Sequence, residues 1–248
     1  KIGKRMKTLI IIPSRLSATR LPGKPLLKIN GISIISHVFK KAENADIGEV
    51  VVATEDQEIV DDVEKNGGQA LLTKNIHKTG TDRVYEAFVK LGKHDIDLVM
   101  NLQGDEPMIN IEDIKNLNYQ MLNKKFHFGT LASKFKDKNF HRNQNIVKVI
   151  TKKSLDQSQF PEAKNFTRLP SSDPNTYHHL GIYCYQVETL KKFVSLNQSD
   201  NEIRNKLEQL RALDNDINVN VALAKSVALG VDTYDDFVAI KKIMEYKS

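Results

Sequence analysis

The segment from Thr8 to Leu27, TLIIIPSRLSATRLPGKPLL, constrains the fold more than any other part of the sequence. It opens with five uncharged β-branched or aliphatic residues, Thr8 to Ile12, which is typical of a strand buried on both faces of a parallel sheet. The turn-rich loop that follows carries Arg15, Arg20 and Lys24 among hydroxyl residues. Ligands bind at the carboxyl ends of strands in such sheets. The pattern therefore predicts a loop that binds a polyphosphate.

The Gly23-Lys24 pair does not make this loop a Walker A loop. The motif GxxxxGK[ST] needs a glycine where this chain has Ala18 and a hydroxyl where it has Pro25. Instead, Arg15 can act as a planar donor of several hydrogen bonds and Lys24 as a point charge, while Gly23 allows close backbone approach. On residue types alone, a solvated basic surface loop is an equally good interpretation.

The composition limits the class of protein. A chain of 248 residues can form one large α/β domain. The net charge of +6 comes from basic residues scattered among acidic ones without a long Lys/Arg run, and an anionic small-molecule substrate explains this balance as well as a nucleic acid does. Cys184 is the only cysteine and lies in an apolar stretch, so we expect a packed thiol and a reducing compartment.

The N-terminal residues KIGKRMK are basic but lack the apolar region and cleavage site of a secretory signal. No apolar segment of the sequence is long enough to cross a bilayer. We therefore expect a cytoplasmic protein that is not bound to a membrane. Met6 is an alternative initiation residue, and the sequence does not decide whether Lys1 to Arg5 are native.

Hydrophobic periodicity predicts alternating strands and helices. The predicted strands are Thr8–Ile12, ended by Pro13, then Glu49–Ala53, Ala70–Leu72, Leu98–Leu102, Phe128–Ser133, His178–Tyr183 and Val219–Ala224. The predicted helices are Ser33–Ala45, one that starts at Thr54–Asp56, Asp82–Leu91, Ile111–Asn123, Glu202–Leu213 and one after Asp232. Lys136–Asn145 and Lys152–Asn175 show little periodicity. The alternation indicates a parallel, three-layer α/β sheet with a Rossmann-like core.

Asp105 is the strongest candidate metal ligand. It lies in NLQGDEP, directly after a predicted strand, and so at the carboxyl edge of the sheet with the basic loop. Magnesium commonly binds one or two protein carboxylates and completes its shell with water and substrate phosphates. Gly-Asp-x-Pro is also an ordinary turn sequence.

The other polar candidates can also be explained by purely structural roles. Thr81 or Asp82 could be the N-cap of the helix that follows, and Asp232 could cap the C-terminal helix. Glu208 and Gln209 could form a solvated helix face. Neighbouring strand residues point to opposite faces, so the two histidines of the HHLGIY motif are not expected to bind one ion.

The motifs and their order resemble those of the 3-deoxy-manno-octulosonate cytidylyltransferases. IPSRLSATRLPGKPL is similar to the family's opening IPARxxSTRLPGKPL, with Ser14 and Ala18 where the family has Ala and Ser. HKTGTDR, NLQGDEPMI, NIVKV, HHLGIY, LEQLRAL and GVDTYDD follow in the family's order, so the resemblance covers nearly the whole chain. It implies one nucleotide-diphospho-sugar transferase domain over residues 1–248, with residues 134–195 forming a smaller sugar-binding and dimerisation lobe.

The resemblance also implies roles for individual residues. Magnesium ligands would be Asp105 and Asp232, and the catalytic residues would be these two with Arg15 and Lys24. The nucleotide would be bound by Pro13, Ser14, Arg15, Arg20, Lys24, Thr79, Gly80, Thr81, Arg83 and Gln103. The sugar would be bound by Gln103, Arg168, His179, Tyr183, Glu208 and Gln209. Arg168 is identified by aligning FTRLPS of this chain with SRAPIP of the family. Tyr234 stands where the family motif GVDTPEDL has a proline. Glu106 would support the site without being a ligand.

The implied reaction joins CTP and 3-deoxy-manno-octulosonate and releases pyrophosphate, which activates the sugar for lipopolysaccharide synthesis. A homodimer is also implied. An alternative is a synthetase for another acidic sugar, such as the 8-amino analogue or sialic acid. Sialic acid enzymes resemble IPARxGSKGIPGKN in the first loop, which disagrees with Thr19-Arg20-Leu21. A non-catalytic nucleotide-binding protein is a further alternative, since fold alone does not determine function.

Overall fold

The computed structural model describes residues 5–74, 76–227 and 229–248, so Lys1–Lys4 of the basic N-terminal stretch lie outside it. It is a mixed α/β fold with a central, mostly parallel sheet, as the sequence predicts. The strands are β1 Thr8–Ser14, β2 Lys28–Ile29, β3 Ile32–Ser33, β4 Gly48–Thr54, β5 Ala70–Leu72, β6 Leu98–Asn101, β7 Phe128–Ser133, β8 Lys148–Thr151, β9 Ala163–Thr167, β10 Thr176–Gln186 and β11 Asn220–Leu223.

The helices have these bounds: α1 Ile34–Asn44, α2 Gln57–Lys65, α3 Gly80–Leu91, α4 Ile111–Met121, α5 Lys138–Arg142, α6 Val187–Ser195, α7 Asp200–Asn205, α8 Leu210–Asp214 and α9 Tyr234–Tyr246. A short 3₁₀ helix covers Lys24–Leu26. None of the helices in the described part of the chain has the length and apolar character needed to span a membrane.

The chain divides into two compact units. The first unit contains Lys1–Ile96, Met100–Ile114 and Ala228–Ser248, and the second contains Asp97–Val99 and Lys115–Val227.

In the first unit, the strands β1, β4 and β5 are parallel neighbours. Four residues of β1, from Leu9 to Ile12, are fully buried, as the uncharged run predicts. The prediction that Pro13 ends this strand is wrong, because β1 continues to Ser14, which pairs with Thr54 of β4. A proline fits this position because its restricted φ is compatible with extended backbone. The basic loop therefore begins after Ser14.

In the second unit, β7 pairs with β10 in antiparallel register and with β11 in parallel register. β10 also pairs with β8, and β8 with β9, both antiparallel. The helix α5 and the strand β9 lie in Lys136–Asn145 and Lys152–Asn175, where the sequence shows little periodicity and no element is predicted. Each has five residues, too few for a periodic pattern to be recognised.

Cys184 is fully buried in β10, and burial raises the pKa of its thiol. The prediction of a packed thiol is confirmed.

Gly48 begins β4 where the backbone of β1 leaves no room for a side chain. A Cβ at Gly48 would lie 1.9 Å from the carbonyl oxygen of Thr8, a backbone atom that cannot move without disturbing the strand pair. We expect Gly48→Ala to lower the free energy of unfolding by about 1–3 kcal/mol, measured by urea denaturation. Gly80→Ala is the control, because a Cβ at Gly80 would meet its nearest neighbour at 4.0 Å. Equal losses from both variants would contradict the steric explanation.

Candidate active site

Gly104 allows the GDEP turn to approach the end of β1. A Cβ at this position would lie 3.0 Å from the Cδ1 atom of Ile35 and 3.3 Å from the carbonyl oxygen of Pro13, tighter than ordinary contact. The N–H of Leu102 donates to the carbonyl of Ile11 at 3.1 Å, which continues the alignment of this segment with β1. The absence of a side chain at Gly104 therefore places the next residue, Asp105, beside the basic loop.

Lys24 and Asp105 form the central contact of this site. Gly23 has a φ of 71°, in the left-handed region, and the 3₁₀ helix starts at Lys24 directly after it. The Nζ atom of Lys24 lies 3.3 Å from Oδ2 of Asp105. Burial raises the pKa of Asp105, and the ammonium of Lys24 opposes that shift. The lysine thus favours the ionised carboxylate at a place where burial disfavours it.

Asp232 is brought next to Asp105 by a backbone hydrogen bond. The N–H of Val231 donates to the carbonyl oxygen of Asp105 at 2.8 Å, and the side chain of Val231 is fully buried in a cluster that includes Ile34. The carboxylate of Asp232 pairs with the guanidinium of Arg20. The charge of Asp232 also raises the pKa of Asp105, as two neighbouring carboxylates do.

Asp232 is not the cap of the C-terminal helix. Thr233 is the N-cap of α9 and forms a capping box with Asp236. The structural alternative for Asp232 is therefore wrong, and its carboxylate is available for another role.

The two carboxylates fit a magnesium ion. They are hard oxygen donors on segments joined by a hydrogen bond, and magnesium needs only one or two such protein ligands when a polyphosphate supplies others. Within the described residues, no group of three or more His, Cys, Asp and Glu side chains could hold a metal by itself. Two carboxylates alone would leave the other positions of an octahedral magnesium shell to water or substrate oxygens.

Glu106 is buried beside Asp105. Burial, with a contribution from the charge of Asp105, raises the pKa of Glu106 to about 8. Its Oε2 atom has no hydrogen-bond partner among the described residues. Its buried position next to Asp105 is compatible with the supporting role that the family resemblance implies.

The segment Thr79 to Arg83 starts α3 at the same edge. Thr79, and not Thr81 or Asp82, is the N-cap: its hydroxyl accepts a hydrogen bond from the backbone N–H of Asp82. Thr81 is 2% exposed. A Cβ at Gly80 would lie 4.0 Å from Pro13, so the helix begins alongside the end of β1. Helix N-termini present free N–H groups that bind anions.

Arg83 is tied to protein groups. Its Nη1 atom donates to the hydroxyl of Thr73 at 2.5 Å and to the carbonyl of Lys74 at 3.0 Å, and its Nη2 atom lies 3.7 Å from the carboxylate of Glu55. Burial lowers the pKa of this guanidinium. These contacts fix the segment before α3 to the end of β4.

The remaining loop residues are open to solvent. Arg15 and Gln103 are exposed, and Ser14 is half-buried at the end of β1. The backbone N–H of Leu16 donates to the carboxylate of Asp56 at 2.8 Å. This bond joins the loop to the N-cap of α2 and leaves the guanidinium of Arg15 accessible to a ligand.

In the second unit, His179 and Tyr183 lie side by side. Their ring centroids are 5.7 Å apart, which confirms that they share one side of β10. Oγ1 of Thr130 lies 2.7 Å from the carbonyl of Ile182 and 2.9 Å from Nε2 of His179. The hydroxyl has a single proton and donates it to that carbonyl, so Nε2 of His179 carries the ring proton. Neutral His179 therefore keeps Nδ1 as an acceptor.

His178 has different surroundings from His179. Its ring stacks on Phe135 with centroids 5.8 Å apart, whereas the ring of His179 contacts Phe166 at 5.1 Å. The expectation that the two adjacent histidines do not share an ion fits this arrangement.

Glu208 and Gln209 lie in a turn and not on a helix. The single helix expected over Glu202–Leu213 is wrong, because the chain forms α7 and α8 with Lys206 in the left-handed region between them, at φ 53°. Glu208 is half-buried and Gln209 is 5% exposed. Burial, Tyr185 and Glu208 raise the pKa of Tyr183 well above its usual value, so this turn lies close to the phenol.

Arg168 contacts the same turn. Its Nε atom donates to the carbonyl of Asn205 at 3.3 Å and its Nη2 atom to the carbonyl of Lys206 at 3.4 Å. The structure thus places Arg168 against the turn that carries Glu208, although the sequence around Arg168 shows no regular pattern.

Known proteins are similar to this chain over nearly its whole length. A cytidylyltransferase family model matches residues 9–220. The 3-deoxy-manno-octulosonate cytidylyltransferase of Afipia carboxidovorans is 42% identical over 240 residues, which cover 96% of each chain. The enzyme of the same name from Rhodopseudomonas palustris strain BisB18 is 40% identical over 243 residues, 97% of this chain and 98% of the relative. This chain belongs to the 3-deoxy-manno-octulosonate cytidylyltransferase family.

A solved structure supports the family assignment in three dimensions. The structure of CMP:2-keto-3-deoxy-manno-octonic acid synthetase complexed with CTP matches with a TM-score of 0.89 and 33% sequence identity. The match covers 98% of this chain and 100% of the solved one. The family and fold expected from the sequence motifs are confirmed.

Sequence analysis missed one buried pair in this cytidylyltransferase. Glu202 of α7 and Arg211 of α8 have side chains that are each 3% exposed and lie 2.6 Å apart. The available signal was Arg211 itself, which follows Leu210 and precedes Ala212 and Leu213 in the sequence. An arginine inside an apolar helical stretch requires a buried partner.

His179 should make the protein less stable in mild acid. Burial, with a smaller effect of His178, lowers the pKa of His179 to about 3. Between pH 7 and pH 5 the unfolded chain takes up a proton that the native chain does not, so stability falls as pH falls. The expected contribution is about 2 kcal/mol over this range. His179→Gln should remove most of this pH-dependent loss of stability. The measurement is the free energy of unfolding in urea at pH 7 and at pH 5.

His127→Gln is the matched control, because His127 is exposed. An unchanged pH dependence in His179→Gln would show that this imidazole is protonated in the native state.

Proposed function

We propose that this protein joins CTP to 3-deoxy-manno-octulosonate. The oxygen of the sugar's anomeric hydroxyl forms a bond to the α-phosphorus of CTP, the bond from that phosphorus to the bridging oxygen breaks, and pyrophosphate leaves. The hydroxyl proton passes to solvent. Family membership supports the substrates. The observation that carries the proposal is the pairing of Asp105 with Lys24 and of Asp232 with Arg20 at one strand-end loop.

The first unit supplies the nucleotide contacts in this proposal. Lys24 and Arg20 contact carboxylates and can exchange these partners for phosphate oxygens, to which charged donors bind strongly. Exposed Arg15 adds a multi-donor clamp. The nucleotide-binding set remains Pro13, Ser14, Arg15, Arg20, Lys24, Thr79, Gly80, Thr81, Arg83 and Gln103. The α3 N-terminus donates backbone N–H groups, and the contacts of Arg83 support the segment that precedes this helix.

Asp105 and Asp232 would hold magnesium. When bound, the ion supplies positive charge to the triphosphate and to the attacking hydroxyl. Lys24 favours the ionised form of Asp105, and the Val231 hydrogen bond keeps the two carboxylates on neighbouring segments. Positioning and charge stabilisation can carry nucleotidyl transfer without a dedicated side-chain base.

The second unit supplies the sugar contacts. We assign Arg168 to the sugar carboxylate, and Glu208 and Gln209 to hydroxyl groups, since a carboxylate and an amide together can accept and donate hydrogen bonds. Neutral His179 offers its Nδ1 atom as an acceptor, and the protonated phenol of Tyr183 offers a donor. Gln103 is a further proposed sugar contact. Each of these assignments remains a prediction.

Family membership and the sequence also support a cytoplasmic homodimer that works in lipopolysaccharide synthesis. We propose that residues 134–195 contribute the sugar-binding and dimer contacts, and that the protein binds neither nucleic acid nor membrane. Light scattering of the purified protein tests the dimer, for which we expect twice the mass of one 28.1 kDa chain.

The substrate assignment is tested with a matrix of nucleotides and sugars. Purified protein with magnesium is given CTP, UTP or ATP together with 3-deoxy-manno-octulosonate, its 8-amino analogue or sialic acid. We expect the highest kcat/KM, from pyrophosphate release, for CTP with 3-deoxy-manno-octulosonate. A preference for another sugar would change the substrate and keep the reaction class. Nucleotide binding without any pyrophosphate release would favour a non-catalytic protein.

The carboxylates and cations of the first unit are tested by substitution. Asp105→Asn and Asp232→Asn should each lower kcat by about 100-fold or more, because charge stabilisation at the phosphate is lost. Arg15→Ala and Lys24→Ala should each cost about 1.5–3 kcal/mol of transition-state stabilisation. Circular dichroism must show that each variant is folded.

Arg5→Ala is the control, because Arg5 is exposed and precedes β1. Similar losses at Arg5, Arg15 and Lys24 would indicate a diffuse effect of charge. A folded Asp105→Asn or Asp232→Asn variant with wild-type turnover would remove that residue from the metal site.

A further inference from the structure

A buried ion pair joins the two helices that flank the turn of Glu208 and Gln209. The carboxylate of Glu202 in α7 accepts two hydrogen bonds from Arg211 in α8, from Nε at 2.9 Å and from Nη2 at 2.6 Å. Both side chains are 3% exposed. This two-point geometry fixes orientation as well as distance.

Further contacts hold each member of the pair. The guanidinium of Arg211 lies 4.6 Å from the ring centroid of Phe193 and donates to the carbonyl of the same residue at 3.4 Å. The carboxylate of Glu202 also accepts from the backbone N–H of Ser199 at 3.1 Å, which completes the capping box of α7. One carboxylate therefore sets the start of α7 and its attachment to α8.

Stability alone does not explain this pair. The desolvation cost of a buried ion pair can equal or exceed the attraction between the charges, and apolar residues of similar volume are often as stabilising. An apolar pair, however, does not fix the angle between the two side chains. A bidentate pair specifies one angle between α7 and α8, and with it the path of the short turn that connects them.

The turn itself needs such a constraint. Lys206 is a non-glycine residue in the left-handed region, which is unfavourable for a side chain with a Cβ. Buried Leu207 and Leu210 anchor the two ends of the turn, and Glu208 and Gln209 lie between them. The direction in which the side chains of Glu208 and Gln209 point depends on the conformation at the end of α7 and at the start of α8.

Arg168 depends on the same turn. It donates to the carbonyls of Asn205 and Lys206, the last residue of α7 and its C-cap. Rotation of α7 against α8 would move these carbonyls and the guanidinium that contacts them. Three proposed sugar contacts, Arg168, Glu208 and Gln209, thus share one support.

We infer that Arg211 is a positioning residue for the acidic sugar. Through Glu202 it holds the turn over residues 206–209 so that Glu208 and Gln209 project in fixed directions and Arg168 keeps its place. The inference rests on the proposed function for the identity of the sugar. It assigns Arg211 no contact with substrate.

The main test is a double variant, Glu202→Leu with Arg211→Met, which removes both charges together and leaves no buried charge unpaired. We expect it to fold, with KM for 3-deoxy-manno-octulosonate raised about tenfold and KM for CTP within twofold of wild type. Hydrogen exchange of the amides of residues 206–210 should accelerate about tenfold. Arg211→Lys keeps the charge without the planar fork and should give an intermediate KM for the sugar.

The matched control is Lys7→Met with Asp95→Leu, which removes an exposed ion pair that lies outside the proposed sugar-binding lobe. It should leave both KM values and the exchange of residues 206–210 unchanged. A folded Glu202→Leu, Arg211→Met variant with a wild-type KM for the sugar would overturn the inference. So would an equal rise in KM for the sugar and for CTP.

The two proposals can fail separately. If the wild-type protein turns over no combination of CTP and acidic sugar, the proposed function fails. Amide exchange of residues 206–210 still tests the structural part of the inference. Faster exchange in the double variant would show that the ion pair of Arg211 stabilises this turn, and unchanged exchange would refute it.

Discussion

The hydrogen bond from Val231 to the carbonyl of Asp105 is the contact on which the candidate catalytic site depends. It joins two segments that are far apart in the sequence and places their aspartates next to each other. Two neighbouring carboxylates repel, and each needs a counter-charge. Lys24 and Arg20 of the basic loop supply these charges, one for each aspartate. The loop and the two acidic segments therefore form one electrostatic unit.

The two ion pairs of this site differ in how far their side chains are exposed to solvent, and this difference favours different roles for the two pairs. The side chains of Arg20 and Asp232 are each more than half exposed, so their pair contributes little to stability and can exchange partners easily. Lys24 is 16% exposed, and its contact with Asp105 is screened less. The half-buried pair favours the ionised form of the Asp105 carboxylate, while the exposed pair leaves its groups available to a ligand.

The sequence predicts the strands and helices that carry this site well, because their determinants are local. The buried run of β1, the caps Ser33 and Asp56, and the three-residue strand β5 follow from residue type and periodicity. The break between α7 and α8 does not follow, because leucines 207, 210 and 213 continue the helical spacing across it. A left-handed Lys206 and the pair of Glu202 with Arg211 override that pattern, and both depend on tertiary contacts.

The same contrast explains how well each group of site residues could be predicted. Phosphate and metal recognition uses backbone approach and charge at strand ends, which glycine, lysine and aspartate motifs reveal in one sequence. Recognition of a polyhydroxylated acid needs several polar groups held at fixed mutual angles, and these angles come from buried contacts between distant residues. Arg168 illustrates this: its position follows from two carbonyls of a turn more than thirty residues later in the chain. The mutual orientation of the proposed sugar-binding residues is therefore set by packing between residues that are distant in the sequence.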